Sequence, residues 1–176
     1  FTRAMSIDGI EDWRDDWTFG EEATLSLYTP PARNAAFDGA TVLARMKQRF
    51  EEYLTHLDFS QGDYTFFFPP YSALYWNYAF GAGNGETYLE FKAYAERMLL
   101  GYENVRIFDF QNAPFVTDLN NYKDYTHYAP EINDRMLGCF ASGEYLVTEA
   151  ASMENLLGAT QAQVAQLLER YPEIPE

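Results

Sequence analysis

Asp124 and His127 stand three residues apart in Asn120-Asn121-Tyr122-Lys123-Asp124-Tyr125-Thr126-His127-Tyr128. Within one turn, that spacing can set a carboxylate against an imidazole. A carboxylate on one ring nitrogen fixes the tautomer and leaves the other nitrogen free as a general base, the pair that serine hydrolases need. The spacing alone is common. It also fits a capping Asp beside a surface His in a polar loop. Asn121 and Tyr128 flank the pair as candidates for positioning substrate, and Asn121 is equally suited to an ordinary turn.

A second candidate group lies in Pro69-Pro70-Tyr71-Ser72, with Tyr75-Trp76 close behind. Tyr71, Tyr75 and Trp76 could stack on a sugar ring or pack beneath the loop. Ser72 lacks the glycines of a nucleophile elbow. It reads as a residue that lines the pocket or closes a turn. Cys139, the single cysteine, sits between Gly138 and Phe140 in a helical stretch and reads as a small buried apolar residue. With His56 and His127 the only histidines, no metal-ligand spacing is present, and no cofactor is expected. His56, toward the end of a helix, reads as a surface residue. Gly81-Ala82-Gly83-Asn84-Gly85 lacks phosphate-binding spacing and reads as a flexible connector.

The elements that would position these residues follow from periodicity. Residues 1–40 are irregular, with Trp13, Trp17 and Phe19 among acidic residues and the breaker Pro30-Pro31, as in a loop-rich insertion or a short helix packing elsewhere. Val42, Leu43, Met46, Phe50, Tyr53, Leu54 and Leu57 recur at helical spacing from Thr41 to about Leu57. The apolar run Tyr64–Phe68 reads as a buried parallel strand. Thr87 and Glu90 match a capping box that opens a helix to about Leu100, ended by Gly101. Residues 105–110 form the second strand, followed by a polar loop from Gln111 to Tyr128. Pro130 suits the first turn of a helix that buries Ile132, Met136, Leu137 and Phe140 and stops at Gly143. Two shorter helices follow, the last from Thr160, which with Gln163 repeats the capping-box pattern.

Helix–strand–helix–strand–helix is an α/β arrangement with parallel strands flanked by helices. Two strands are too few for a self-sufficient sheet, so the sequence reads as half of a larger one. The expected division is a loop-rich segment over 1–40, the α/β body over 41–148 and a helical extension over 149–176.

Bulk properties narrow the function. Formal charges of +12 and −27 give a net −15 over 176 residues. Such a surface repels phosphate backbones and anionic lipid, which argues against nucleic-acid binding. A hydrophobic fraction of 47% marks a folded domain. No stretch is long and apolar enough to span a membrane, and no signal peptide is visible. The chain opens on Phe1 rather than Met. Phe1 is therefore expected to be a boundary or cleavage point, with any targeting segment outside this sequence.

Three segments carry a resemblance: Phe67-Phe68-Pro69-Pro70-Tyr71-Ser72-Ala73 with Tyr75-Trp76; Leu119–Asp124 with Thr126-His127-Tyr128; and Ile132-Asn133 leading to Met136-Leu137. Trp17-Thr18-Phe19-Gly20 is a weaker fourth. Together they resemble a family of membrane-anchored bacterial SGNH/GDSL-like hydrolases. More distantly, they are similar to D-alanyl-lipoteichoic acid biosynthesis proteins and alginate-type O-acetyltransferases. The resemblance implies the C-terminal half of a flavodoxin-like three-layer fold. It also implies an extracytoplasmic location, anchored through a segment outside this chain. Asp124 would orient His127, the general base of a Ser-His-Asp triad acting on an acylated carbohydrate or envelope polymer, with Tyr71, Ser72, Trp76, Asn121 and Tyr128 about the substrate. The family's Gly-x-Ser-like nucleophile block and oxyanion donors have no counterpart here. The missing N-terminal half or another chain would then complete the sheet, and the chain alone would be inactive. The competing expectation is a non-catalytic carbohydrate- or protein-binding module, or a structural partner in an envelope assembly.

Overall fold

The structure, a computed structural model, describes residues 17–175. Its elements are α1 (Glu21–Leu27), α2 (Gly39–Leu54), β1 (Tyr64–Phe68), α3 (Ala73–Ala82), α4 (Gly85–Leu99), β2 (Val105–Asp109), α5 (Pro130–Ser142) and α6 (Met153–Arg170). Three short 3-10 turns join β2 to the loop that carries Asp124 and His127. The α/β class is therefore as the periodicity implies, with β1 and β2 pairing in parallel from Tyr64↔Val105 to Phe68↔Asp109. A parallel pair needs a long crossover, and α3 and α4 supply it.

The two faces of the ribbon are covered differently. Ile107 packs with Leu54 and Leu99, joined by Phe50, Phe66 and Phe68, so α2 and α4 cover one face. Phe108 and Phe110 pack with Ile132, Met136 and Phe140, so α5 covers the other. The edges also differ. Beyond β2, Val147 N–H donates to Ile107 O at 2.8 Å and Asp109 N–H to Tyr145 O at 2.9 Å, closing that side. Beyond β1 there is no strand among the described residues. Thr65 and Phe67 are exposed, Phe67 by 44%. The expectation of a buried strand therefore fails on the face toward α5, where Thr65 and Phe67 are only partly covered.

α6 lies across α3 and α4. Leu74 and Leu167 are fully buried with Leu119, and Trp76, Leu89 and Leu156 form an adjoining cluster. Each fully buried leucine contributes about 2 kcal/mol of transfer free energy. The C-terminal helix thus shares the core of the α/β body.

Several local expectations are corrected. Ala73–Ala82 is a helix where none was expected. It is apolar on every side, so no amphipathic period marks it. Gly81–Gly85 is a two-residue joint, with left-handed Gly83 (φ 86°) ending α3 and Asn84 starting α4. A Cβ on Gly85 would lie 2.5 Å from the Phe80 ring, so the tight turn requires glycine there. Thr87 lies inside α4 and caps nothing. The two short C-terminal helices are one, capped by Ser152, whose side chain accepts from Asn155 N–H. Thr160 is buried mid-helix and returns its hydroxyl to Leu156 O at 2.7 Å. Leu137 is 63% exposed because Ile132, Met136 and Cys139 already occupy the sheet-facing side of α5. The loop after β2 buries Val116, Leu119 and Tyr122, and so is less polar than expected. Trp13 lies outside the described residues. No helix among the described residues is long and apolar enough to cross a membrane.

Candidate active site

The loop 121–129 is built on itself before it is built on anything else. Tyr122 and Tyr128 form an antiparallel bridge. Lys123 N–H donates to His127 O at 2.9 Å and Ala129 N–H to Asn121 O at 2.7 Å. Inside this hairpin, Asp124 Oδ1 accepts the backbone N–H of Thr126 (2.8 Å) and of His127 (2.9 Å) and the Thr126 hydroxyl (3.1 Å). This is an Asx-type turn, in which the carboxylate replaces a backbone acceptor. Its second oxygen, Oδ2, lies 2.7 Å from His127 Nδ1. The carboxylate that caps the turn is thus the same one that meets the imidazole.

The geometry fixes the ring. A carboxylate at 2.7 Å requires a proton on Nδ1, which leaves Nε2 as the basic nitrogen. Burial raises the carboxyl pKa of Asp124, but the N–H groups of Thr126 and His127 and the imidazole outweigh it, and the net shift is downward. The acid is therefore ionised at neutral pH.

Two contacts lock the loop to the carboxyl end of β1. Tyr122 is fully buried and its hydroxyl donates to Pro70 O at 2.7 Å. The Ser72 hydroxyl donates to Tyr125 O at 2.8 Å, and Tyr125 stacks on Tyr78 of α3 with centroids 5.6 Å apart. His127 consequently opens onto a depression of about 430 Å³ lined by Trp17, Pro69, Tyr71, Thr126, Tyr128 and Asn133. Loops beyond the carboxyl ends of parallel strands are where open α/β sheets place ligand sites.

The predicted substrate residues divide. Tyr71 and Tyr128 line the depression with His127. Burial and neighbouring Tyr71 push the Tyr128 phenol up, so it is a neutral donor. Ser72 is fully buried and caps α3, accepting from Tyr75 N–H, and is not among the residues that line the depression. Trp76 is 3% exposed in the core and offers no face to a sugar. Its indole N–H has no hydrogen-bond partner among the described residues. Asn121 turns away: its amide donates to Phe115 O at 3.0 Å, and it lines a separate depression with Arg135 and Arg170. Tyr75 is half-buried against Tyr71 and Trp76.

Four lining residues, Trp17, Pro69, Thr126 and Asn133, were not singled out as site residues. Thr126 and Asn133 sit inside the resembling segments, and Trp17 opens the weakest of them. Nothing local marks Trp17, whose contact with the site is long-range. Cys139 is buried as expected, and burial and Glu144 push its thiol up. His56 is exposed. No group of three or more His, Cys, Asp or Glu side chains among the described residues is disposed to hold a metal ion.

Comparison of the chain with protein-family models, with curated proteins and with solved structures gives no match.

Proposed function

We propose that this chain supplies the Asp124–His127 half of a serine esterase or O-acyltransferase of the SGNH type, acting on an acylated carbohydrate polymer of the cell envelope or extracellular space. The observation that carries the reading is the 2.7 Å Nδ1–Oδ2 contact at the mouth of an aromatic-lined depression beyond the carboxyl end of β1.

Among the described residues, the lining of that depression holds no Ser or Cys. The nucleophile therefore belongs to a segment that joins the site from outside these residues, as the N-terminal half or another chain that covers the open edge of β1. In the reaction, the serine oxygen bonds to the ester carbonyl carbon while its proton passes to His127 Nε2. The alcohol leaves with that proton. Water or a sugar hydroxyl then attacks the acyl carbon, giving its proton to Nε2, and the acyl–serine bond breaks as Nε2 returns that proton to the serine oxygen. Asp124 stays ionised and stabilises each imidazolium.

The test is chromogenic acyl-ester turnover by this chain and by a longer form extended N-terminally, each with and without His127→Ala. Turnover by the long form alone, abolished by His127→Ala, is expected. Equal turnover by the short chain would place the nucleophile within it and overturn the division. A second reading, a glycan-binding module, is favoured by the aromatic walls Tyr71 and Tyr128. It predicts glycan binding by the short chain that is unchanged by His127→Ala.

A further inference from the structure

Trp17 reaches the site from more than a hundred residues away in sequence, and four contacts hold the segment that carries it. Gly20 N–H donates to Tyr122 O at 2.8 Å. The buried Thr24 hydroxyl donates to the same oxygen at 2.9 Å. Its distance to Leu119 O is 3.4 Å, and Glu21 N–H lies 3.5 Å from Asn120 Oδ1. Gly20 adopts φ 131°, which only glycine tolerates easily and which turns the chain onto this loop. The Trp17 and His127 rings meet edge-on, centroids 5.3 Å apart at 69°. The Lys123 ammonium sits 4.0 Å from the Trp17 ring centroid. A cation at that range is attracted to an indole face, and edge-on ring pairs have a preferred geometry.

We infer that Trp17 is a positioning residue for His127. Asp124 supplies the acceptor for Nδ1–H and the Thr126 hydroxyl lies 3.3 Å from the same nitrogen, but both contacts sit at one corner of the ring and leave an imidazole that is about half exposed free to swing about its side-chain bonds. The indole, pinned by Lys123 and by the Gly20–Thr24 contacts, closes that freedom and keeps Nε2 in the basic form. The N-terminal segment is thereby part of the site rather than a covering for it. This deepens the hydrolase reading of the same site, but it can be tested without substrate.

The chain has only two histidines, so imidazole tautomers can be read directly. Long-range proton–nitrogen spectra of the nitrogen-15-labelled chain would be recorded at about pH 8.5, where ordinary imidazoles are neutral. Exposed His56 is the internal reference. In the unaltered chain, His127 is expected to show a single Nδ1–H pattern and His56 an averaged one. Trp17→Leu is expected to collapse His127 toward the His56 pattern, whereas Trp17→Phe, which keeps an aromatic wall, retains it. Retention of the Nδ1–H pattern in Trp17→Leu overturns the inference. Should Trp17→Leu fail to fold, Lys123→Met decides: partial averaging of His127 supports the pinned wall, and an unchanged pattern overturns it. Because no turnover is measured, an inactive extended protein with the expected tautomers would sink the hydrolase reading and leave this one standing.

Discussion

Asp124 does two jobs with one carboxylate, and the jobs separate under substitution. Asp124→Asn keeps an oxygen for the Thr126 and His127 N–H groups but sets an amide or a neutral carbonyl against Nδ1, so the ring loses its fixed tautomer. In an extended, active form, kcat is expected to fall about 10⁴-fold, the scale a wrong tautomer costs in a serine triad. The same change has a stability signature whose sign can be worked out. The folded carboxyl titrates below its unfolded value of about 3.9. Its stabilisation is therefore present above that value and lost as pH falls through the folded one. Thermal melts should show the unaltered chain above Asp124→Asn at about pH 5, with the gap closing as pH is taken toward about 2. A gap that widens on acidification would mean that the downward shift is not there. Ser72 makes the opposite case, a hydroxyl beside the site that serves only structure. Ser72→Ala removes a helix cap and one of two donors to the Tyr125 carbonyl, which keeps the backbone N–H of residue 72 at 3.2 Å, and should cost about 1 kcal/mol in denaturant unfolding. The site's chemistry should survive it.

At the scale of elements, the link between α4 and the end of β2 is ionic and buried. Lys92 donates to Asp109 Oδ2 at 2.7 Å and to Gln111 Oε1 at 3.1 Å, with side chains 5% and 11% exposed at the ion pair. Asp109 also accepts from Gln111 N–H and the Asn112 amide, so this cluster shapes the first turn of the chain that leads to Asp124. Lys92→Met leaves Asp109 buried without its cation and should cost about 3–5 kcal/mol, with a smaller loss when Asp109 is made apolar as well. Glu96 is the unbalanced member. Burial raises its pKa although Ala151 N–H and Lys92 oppose the rise. A raised folded value means that its protonated form favours folding and that stability is lost as pH climbs through that value. Glu96→Gln should therefore stabilise the chain at neutral pH, with the gain vanishing below about pH 4. Neither side chain stands out in the sequence, because a lysine and a glutamate four residues apart read as an exposed helix pair. Elements with a polar side were legible: β1, β2, α2 and α5 lie close to where periodicity puts them. α3 was not, since Leu74, Trp76 and Ala79 are buried on several sides and no stripe survives. The capping-box patterns at Thr87 and Thr160 misled for a related reason. The motif reads local spacing, and tertiary packing carried both helices through it. The Asp124–His127 pair was legible from three-residue spacing, but Trp17 and Asn133 were not, because their neighbourhood exists only after folding.

For the whole molecule, the unequal edges of the sheet matter most. Tyr64 N–H donates to Asn104 O at 2.9 Å, and the parallel register then gives the groups of Tyr64, Phe66 and Phe68 to β2. Those of Thr65 and Phe67 point to the open side. Unpaired strand edges recruit other strands, and natural proteins blunt or cover them. Here the edge carries an exposed phenylalanine whose ring meets Phe110 at 6.2 Å and Phe140 at 5.8 Å, so the apolar surface runs from the strand onto α5. A segment laid in parallel along β1 would end at the level of Phe68 and Pro69, beside Tyr71 and His127. Under the proposed function, the open edge of β1 and the depression beside His127, whose lining holds no Ser or Cys among the described residues, would be completed by the same segment. Amide hydrogen exchange can test that pairing. In this chain, Phe66 and Phe68 should be protected while Thr65 and Phe67 exchange at near-unstructured rates. In an N-terminally extended form, all four should be protected, and Phe67→Glu should weaken that protection without unfolding the β1–β2 pair. If Thr65 and Phe67 stay fast in the extended form, nothing pairs with this edge, and a nucleophile would have to approach His127 from another side.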